Sequence, residues 1–431
     1  MKIWVVTLLV GLALLVLISP GLIGQFAERS VDENIRRGTV ENDSVIVNAL
    51  TFDRGWFTSE GQHRIEIKDG ALADRIRALA NLSADVALPV ITVTTRIDHG
   101  VIPVASMGRD DGSLLPGLGD AISMLSLTMP DGATIDLPGA VHTRIGLTGA
   151  THSTYALPAG EIEQDGGGLR WSDGQVEVDM HAATNRLDFG ATLESLEILG
   201  AETPLQLAEF LVEGTLEPGS YGFALGDIAA SIGTVTTASQ VMGPVEAQGG
   251  SSIEDGQLAL TFALDVQLDA PGTGPARAIV DLDADGVDPE AFGRLLGRYR
   301  AISADTGDPA TTLLRLEPEL QALLSHGLAL DIRRLELVLP DGMLEADLTA
   351  RIRDNEVDAG NWAALLLATT MSADIRADEP LMATLVELNP DAGALIGMGY
   401  LKADGDAYVT EIQYAKGILT INGAPLTIPL P

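Results

Sequence analysis

The chain has 431 residues, 46% of them hydrophobic, which is enough for a sizeable core in one large or two medium domains. Its 61 acidic and 26 basic residues leave a net charge of −35, a surface that repels nucleic acid and anionic lipid headgroups. There is no cysteine, so disulfides, thiolate metal sites, cysteine nucleophiles and acylation at cysteine are excluded, while the compartment stays open.

The first element is an apolar segment. No charged residue occurs between Lys2 and Glu28, and residues 3–18 are almost wholly apolar. Roughly twenty apolar residues at ~1.5 Å each span a bilayer core of about 30 Å. Ile3, Trp4, Leu8, Leu9, Leu12, Leu14, Leu15 and Leu17 carry this anchor reading. A cleaved signal peptide is the rival, but residues 19–27 hold no clean Ala-x-Ala, which favours an uncleaved anchor. Lys2 and the amino terminus hold the front end in the cytoplasm. The expectation is a single-pass bacterial inner-membrane protein, with residues 1–27 as anchor and the bulk of the chain in the periplasm.

The stretch "FDRGWFTSEG" follows, with Arg54, Gly55, Trp56 and Phe57 between two strand-like segments. These four residues form a structural or interface motif. The first reading is a bent or bulged strand crossing in which Trp56 plugs one end of a sheet and Gly55 lets the backbone turn. Membrane contact through an interfacial Trp comes second, and a ligand site third. Beyond it Asp-Gly recurs nine times and Asn-Gly once, and such pairs supply the positive φ of tight hairpins.

The flanks alternate with period two. Leu258, Leu260, Phe262, Leu264, Val266 and Leu268 share one face, opposite Gln257, Thr261, Asp265 and Gln267. Leu344, Ala346, Leu348, Ala350 and Ile352 do the same, as do Val176, Val178 and Met180. This predicts long antiparallel strands with one apolar and one polar face. Helices are few. Asp288-Pro289 and Asp308-Pro309 each open one as N-cap and first helical residue, and Pro318 is expected to restart the second. Residues 379–390 and 72–82 are further short candidates.

The fold class expected is mainly β (β-rich α+β). It is a long twisted or curved antiparallel sheet of serial hairpins with a few short covering helices, plus the N-terminal transmembrane helix. Residues 28–270 form a β-rich periplasmic region. Residues 271–431 form a strand/helix/strand region continuous with the preceding sheet.

Chemistry is harder to find. His63, His99, His142, His152, His181 and His326 show no metal-ligand spacing and read as surface residues, with His142 and His152 able to meet across a hairpin. Ser231 lacks the first Gly of a nucleophile elbow. Asp281, Asp283, Asp285 and Asp288 lack the order of a calcium loop and read as a solvated strand edge. No catalytic, cofactor or metal residue is assigned, and no cofactor is expected.

Three features together resemble a known family. They are the short N-terminal anchor, the segment Arg54 to Ser59, and the C-terminal half, with "LDIRRLELVLPDGMLEADLTARI" and the terminal "YVTEIQYAKGILTINGAPL". The chain is similar to the YdgA family of bacterial envelope proteins of unknown function. The resemblance implies a periplasmic β-rich domain on an inner-membrane anchor and supplies no catalytic residue. The expected role is a non-enzymatic envelope scaffold, or a protein that binds lipid acyl chains or an envelope protein through the apolar sheet face. The alternative is a periplasmic hydrolase of glycans or peptides using unidentified carboxylates.

Overall fold

The computed structural model describes residues 45–426 apart from 69, 71–72, 75–76, 78–86, 101–116, 131, 165–166, 200–204, 238–239, 271–273, 304–308, 354–361 and 389. The anchor segment 1–27 lies outside the described residues. Among the described residues, no helix is long and apolar enough to cross a membrane. The chain is mainly β, and every strand pair with a resolved register is antiparallel. It divides into two compact units. One comprises the described residues of Met1–Ile162 and Trp171–Leu193, the other those of Glu163–Arg170 and Glu194–Pro431.

The strands of the N-terminal half are β1 (Val45–Arg54), β2 (Thr58–Ile67), β3 (Val90–His99), β4 (Gly119–Thr128), β5 (Thr134–Asp136) and β6 (Val141–Ile145). They continue with β7 (Thr151–Leu157), β8 (Gly160–Gln164), β9 (Gly167–Trp171), β10 (Gly174–His181) and β11 (Arg186–Leu199). In the first unit the order is β1-β2-β3-β4-β6-β7-β10-β11. β5 and β6 share one edge of β4 in succession. Val176, Val178 and Met180 of β10 face Ala191, Phe189 and Leu187 of β11, as the alternation requires.

In the second unit the chain meanders. Its strands are β12 (Leu205–Pro218), β13 (Ala224–Thr236), β14 (Val241–Glu254), β15 (Gln257–Ala270), β16 (Gly274–Val287), β17 (Leu328–Leu339), β18 (Gly342–Ile352) and β19 (Thr369–Asp378). After β20 (Lys402–Asp404) come β21 (Ala407–Ala415), β22 (Ile418–Ile421) and β23 (Ala424–Leu426). Each strand from β12 to β19 pairs with the next, then β19 with β21, β21 with β22 and β22 with β23. The expected soft division at 270/271 falls at the β15–β16 hairpin, where Ala270 faces Gly274.

The described Asp-Gly and Asn-Gly pairs follow the hairpin rule in part. Asp255-Gly256 and Asn422-Gly423 both adopt positive φ and close two-residue turns. Lys416-Gly417 closes another in the same way without the signature. At Asp341 and Asp404 the turn slips by one residue, so Gly342 starts its strand and Asp404 ends its own. Asp285-Gly286 closes no hairpin and sits in the last turn-ward residues of β16. The pairs at 69–70, 111–112, 131–132 and 165–166 fall wholly or partly outside the described residues.

Among the described residues, five helices belong to the second unit: α1 (Pro289–Ser303), α2 (Pro309–Ser325), α3 (Trp362–Ala368), α4 (Glu379–Leu388) and α5 (Pro390–Gly397). Of the two predicted caps, Asp288 is present, its Oδ1 accepting from the Ala291 N–H at 2.7 Å, and Asp308 lies outside the described residues. Pro318 does not restart α2, which runs through it. The missing N–H and ring of a mid-helix proline disfavour this. Leu316 and Leu323, buried on either side of the proline, hold the two parts in one helix. In the 72–82 candidate only Ala73, Asp74 and Arg77 are described, all helical, with Arg77 donating to Asp74.

The core of the second unit joins Leu258, Val287, Ala291 and Leu323, with Phe223, Phe292 and Leu295 packed around them. Phe223 and Phe292 meet edge to face, ring centres 5.3 Å apart. Helix α1 can approach this closely because residue 293 is glycine, and a Cβ there overlaps the Tyr221 carbonyl oxygen. Gly297, one turn on, has nothing within 4 Å of its Cβ position. We therefore expect the two substitutions to act in opposite directions in urea denaturation. Gly293→Ala is expected to destabilise by about 1–3 kcal/mol through overpacking. Gly297→Ala is expected to stabilise by up to about 1 kcal/mol through helix propensity.

Candidate functional site

Residues directly opposite one another on antiparallel strands share a face. In the second unit this rule yields continuous apolar rows. One row is Ile228, Gly249, Phe262, Leu282, Ile332, Leu348, Ala373, Ile412 and Ile421, running from β13 to β22. The next is Ala230, Ala247, Leu264, Val280, Leu335, Ala346 and Ile375. A third is Ile232, Val245, Val266, Ala278, Leu337, Leu344 and Ala377.

The core contacts of α1 and α2 engage one end of this face, at Leu258, Leu260, Ala284 and Leu328. Between that end and the buried Ala373 and Ala377 of β19, part of the face is open. Phe262 is 43% exposed, Ile228 41%, Leu335 39% and Leu337 36%. Gly249, between Ile228 and Phe262, has only the Thr261 carbonyl near its Cβ position, at 3.9 Å, and leaves a notch in the row. This partly uncovered apolar face is the candidate site.

Its register depends on one irregularity. In β17, Leu328, Leu330 and Ile332 alternate on even numbers, and Leu335, Leu337 and Leu339 on odd numbers. The phase slips at Arg333-Arg334, and a β-bulge absorbs the slip, so Ile332 faces Leu348 while Leu335 faces Ala346. Both arginines emerge on the polar face. Arg333 donates to Asp281 at 2.6 Å and lies 3.1 Å from Asp283. Arg334 donates to Glu336 through Nε at 2.6 Å and Nη2 at 2.8 Å. The aspartates read as a strand edge are thus partly neutralised by Arg333, and Asp288 serves as a helix cap.

On this polar face a groove of about 440 Å³ is lined by Arg333, Arg334, Glu345, Asp347, Asp374 and Arg376, among others. The hydrogen bond from Arg277 holds the Asp265 carboxyl below the usual carboxylate range. That from Arg334 does the same for Glu336. The general acid of a glycosidase pair needs a raised carboxyl, so neither Asp265 nor Glu336 suits that role. Among the described residues no cluster of His, Asp or Glu has the arrangement to hold a metal ion.

The first unit corrects two readings. Arg54 ends β1, and Gly55, Trp56 and Phe57 form the β1–β2 hairpin turn, closed by the Gly55 N–H donating to the Thr58 carbonyl at 2.7 Å. Trp56 does not plug a sheet end; it is 57% exposed at the tip of the hairpin. A two-strand turn places its central side chains beyond the last paired row, here Arg54 with Ser59. Residues 54–57 hold no bulge; the irregularity of β1 is a different one, at Leu50, between Ala49 and Thr51.

His99 is not a surface histidine: it is 1% exposed, and its Nε2 lies 3.0 Å from the Oγ of Ser59, itself 1% exposed. Asp98 is no third member of a triad, since successive strand residues point to opposite faces, and it accepts from Arg96 at 3.3 Å. His142 faces Thr154, and His152 faces Arg144, so those two histidines are diagonal neighbours rather than partners. His152 and His181 instead bind Asp179 and Asp188, at 2.7 and 2.8 Å. The Ser59–His99 pair, forty residues apart, left no signal in the spacing. The β17 bulge did, in the phase slip.

Two measurements follow from this geometry. Ser59→Ala removes one member of a buried hydrogen-bonded pair and is expected to cost about 1–3 kcal/mol in urea denaturation. Asp265 and Glu336 have depressed folded-state pKa values, so their contribution is complete above the unfolded values, about 3.9 and 4.3. It is lost as pH falls through the folded values. The wild-type urea midpoint is expected to fall more steeply below about pH 4.5 than that of an Arg277→Met/Arg334→Met variant, and the two pH profiles should converge at the acid end.

A family model described as bacterial protein of unknown function (DUF945) matches residues 1–429. No curated protein and no solved structure matches the chain. The YdgA proteins resembled by its sequence motifs are members of the same family. The match runs nearly end to end, and the chain belongs to the DUF945 family.

Proposed function

We propose that this chain is a non-enzymatic protein of the bacterial inner membrane, anchored by residues 1–27 with its bulk in the periplasm. On this reading the second unit binds lipid acyl chains on its uncovered apolar face. The observation that carries the reading is the row of exposed Ile228, Phe262, Leu335 and Leu337 on a face otherwise made of Leu, Val, Ile and Ala. Complete burial of such a side chain is worth about 1.5–3 kcal/mol. The exposed remainder of the four therefore leaves roughly 3 kcal/mol unrealised.

An acyl chain suits the face because the three rows offer no hydrogen-bonding side chain from β13 through β19. The charged groups of the same strands, Asp265, Arg277, Arg334 and Glu336, pair with one another on the opposite face. The apolar segment supplies proximity: a chain held at a bilayer meets acyl chains at high local concentration.

Native mass spectrometry of the detergent-extracted chain tests the proposal. We expect adducts of phospholipid mass, reduced at least severalfold in a Phe262→Gln/Leu335→Gln/Leu337→Gln variant that retains the wild-type circular dichroism spectrum. Repeated preparations free of lipid count against acyl-chain binding, and a co-purifying protein lost in the same variant would replace it with a protein-scaffold role.

A further inference from the structure

We propose that the β1–β2 hairpin is a foot on the membrane, with Trp56 seated in the interfacial layer of the bilayer. The inference rests on the membrane anchoring proposed above, and concerns a different surface from the acyl-chain face.

The display of Trp56 is built into the hairpin. Gly55 turns the chain where a Cβ lies 2.8 Å from the Thr58 carbonyl oxygen, so a larger residue crowds the turn. On the far side of Trp56 the Phe57 carbonyl accepts from the His99 N–H at 2.9 Å. Two residues on, Ser59 meets the His99 ring at 3.0 Å with both side chains buried. Phe57 and Ser59 are thus tied to β3 while Trp56 is 57% exposed.

Trp56 is the most exposed of the described tryptophans. Trp171 is 7% exposed and donates to the Pro158 carbonyl at 2.9 Å, and Trp362 donates to Glu317 at 2.8 Å. An exposed indole on a tethered turn, with an exposed Arg54 beside it, matches the amphipathic layer at the headgroups, where tryptophan is enriched. The chain length allows the contact. Residues 28–44, at no more than about 3.4 Å each, reach up to about 58 Å, which exceeds the length of β1, about 33 Å. The net charge of −35 points to zwitterionic rather than anionic headgroups.

The test uses the full chain in phosphatidylcholine nanodiscs, with the Trp56→Phe variant alongside. The difference in tryptophan emission between the two isolates Trp56 from Trp4, Trp171 and Trp362. We expect that difference emission to be blue-shifted, and to fall by roughly half with lipids brominated near the headgroup end of the acyl chain while aqueous iodide has little effect. Emission that is red-shifted and quenched by iodide overturns the proposal. Protection from both quenchers also overturns it, in favour of a protein contact. A chain that does not enter the nanodiscs sinks the anchor and the foot together. Loss of lipid adducts on the apolar face, by contrast, leaves Trp56 in place.

Discussion

The constraint on which the second unit depends is the separation of apolar and polar side chains onto opposite faces of its strands. Strict period two leaves no choice about which residues share a face once the hairpins set the register. What remains open is what covers the apolar side. Helices α1 and α2 answer this at one end, where Leu258, Val287, Ala291 and Leu323 are buried. They do not reach Phe262 or Leu335, and the face there is sheltered mainly by its own neighbours. A sheet that stops short of covering itself in this way has stability to gain from an apolar visitor.

The polar side is organised with equal consistency. Arg277 pairs with Asp265, Arg333 with Asp281 and Asp283, and Arg334 with Glu336. Such exposed pairs add little stability one by one. In a chain carrying −35, a few arginines placed among many acids relieve repulsion between adjacent strands. The β17 bulge serves both faces, since it presents Arg333 to the acids of β16 and Arg334 to Glu336 of its own strand, and restores Leu335 and Leu337 to the apolar rows.

In the first unit the buried polar groups have a structural task. Ser59 and His99 fasten β2 to β3 beside the hairpin turn, and strand geometry sends Asp98 to the other face. The serine, histidine and aspartate are close in the fold but are not aligned as a triad. Their effect is to hold a turn whose most prominent side chain, Trp56, faces solvent.

From the sequence alone came the mainly β class, the faces of β10, β15 and β18, and the capped start of α1, because periodicity, turn residues and caps act within a few neighbouring residues. The phase slip at Arg333-Arg334 also stood in the sequence, though only the paired strands turned it into a bulge. Three features belonged to the tertiary structure. These are the Ser59–His99 contact across forty residues, the exposure of Trp56 at a turn rather than its burial at a sheet end, and the short reach of the helices over the apolar rows. Local pattern decides which face of a strand is apolar. How much of that face is covered depends on where distant segments pack, and no spacing along the chain records that.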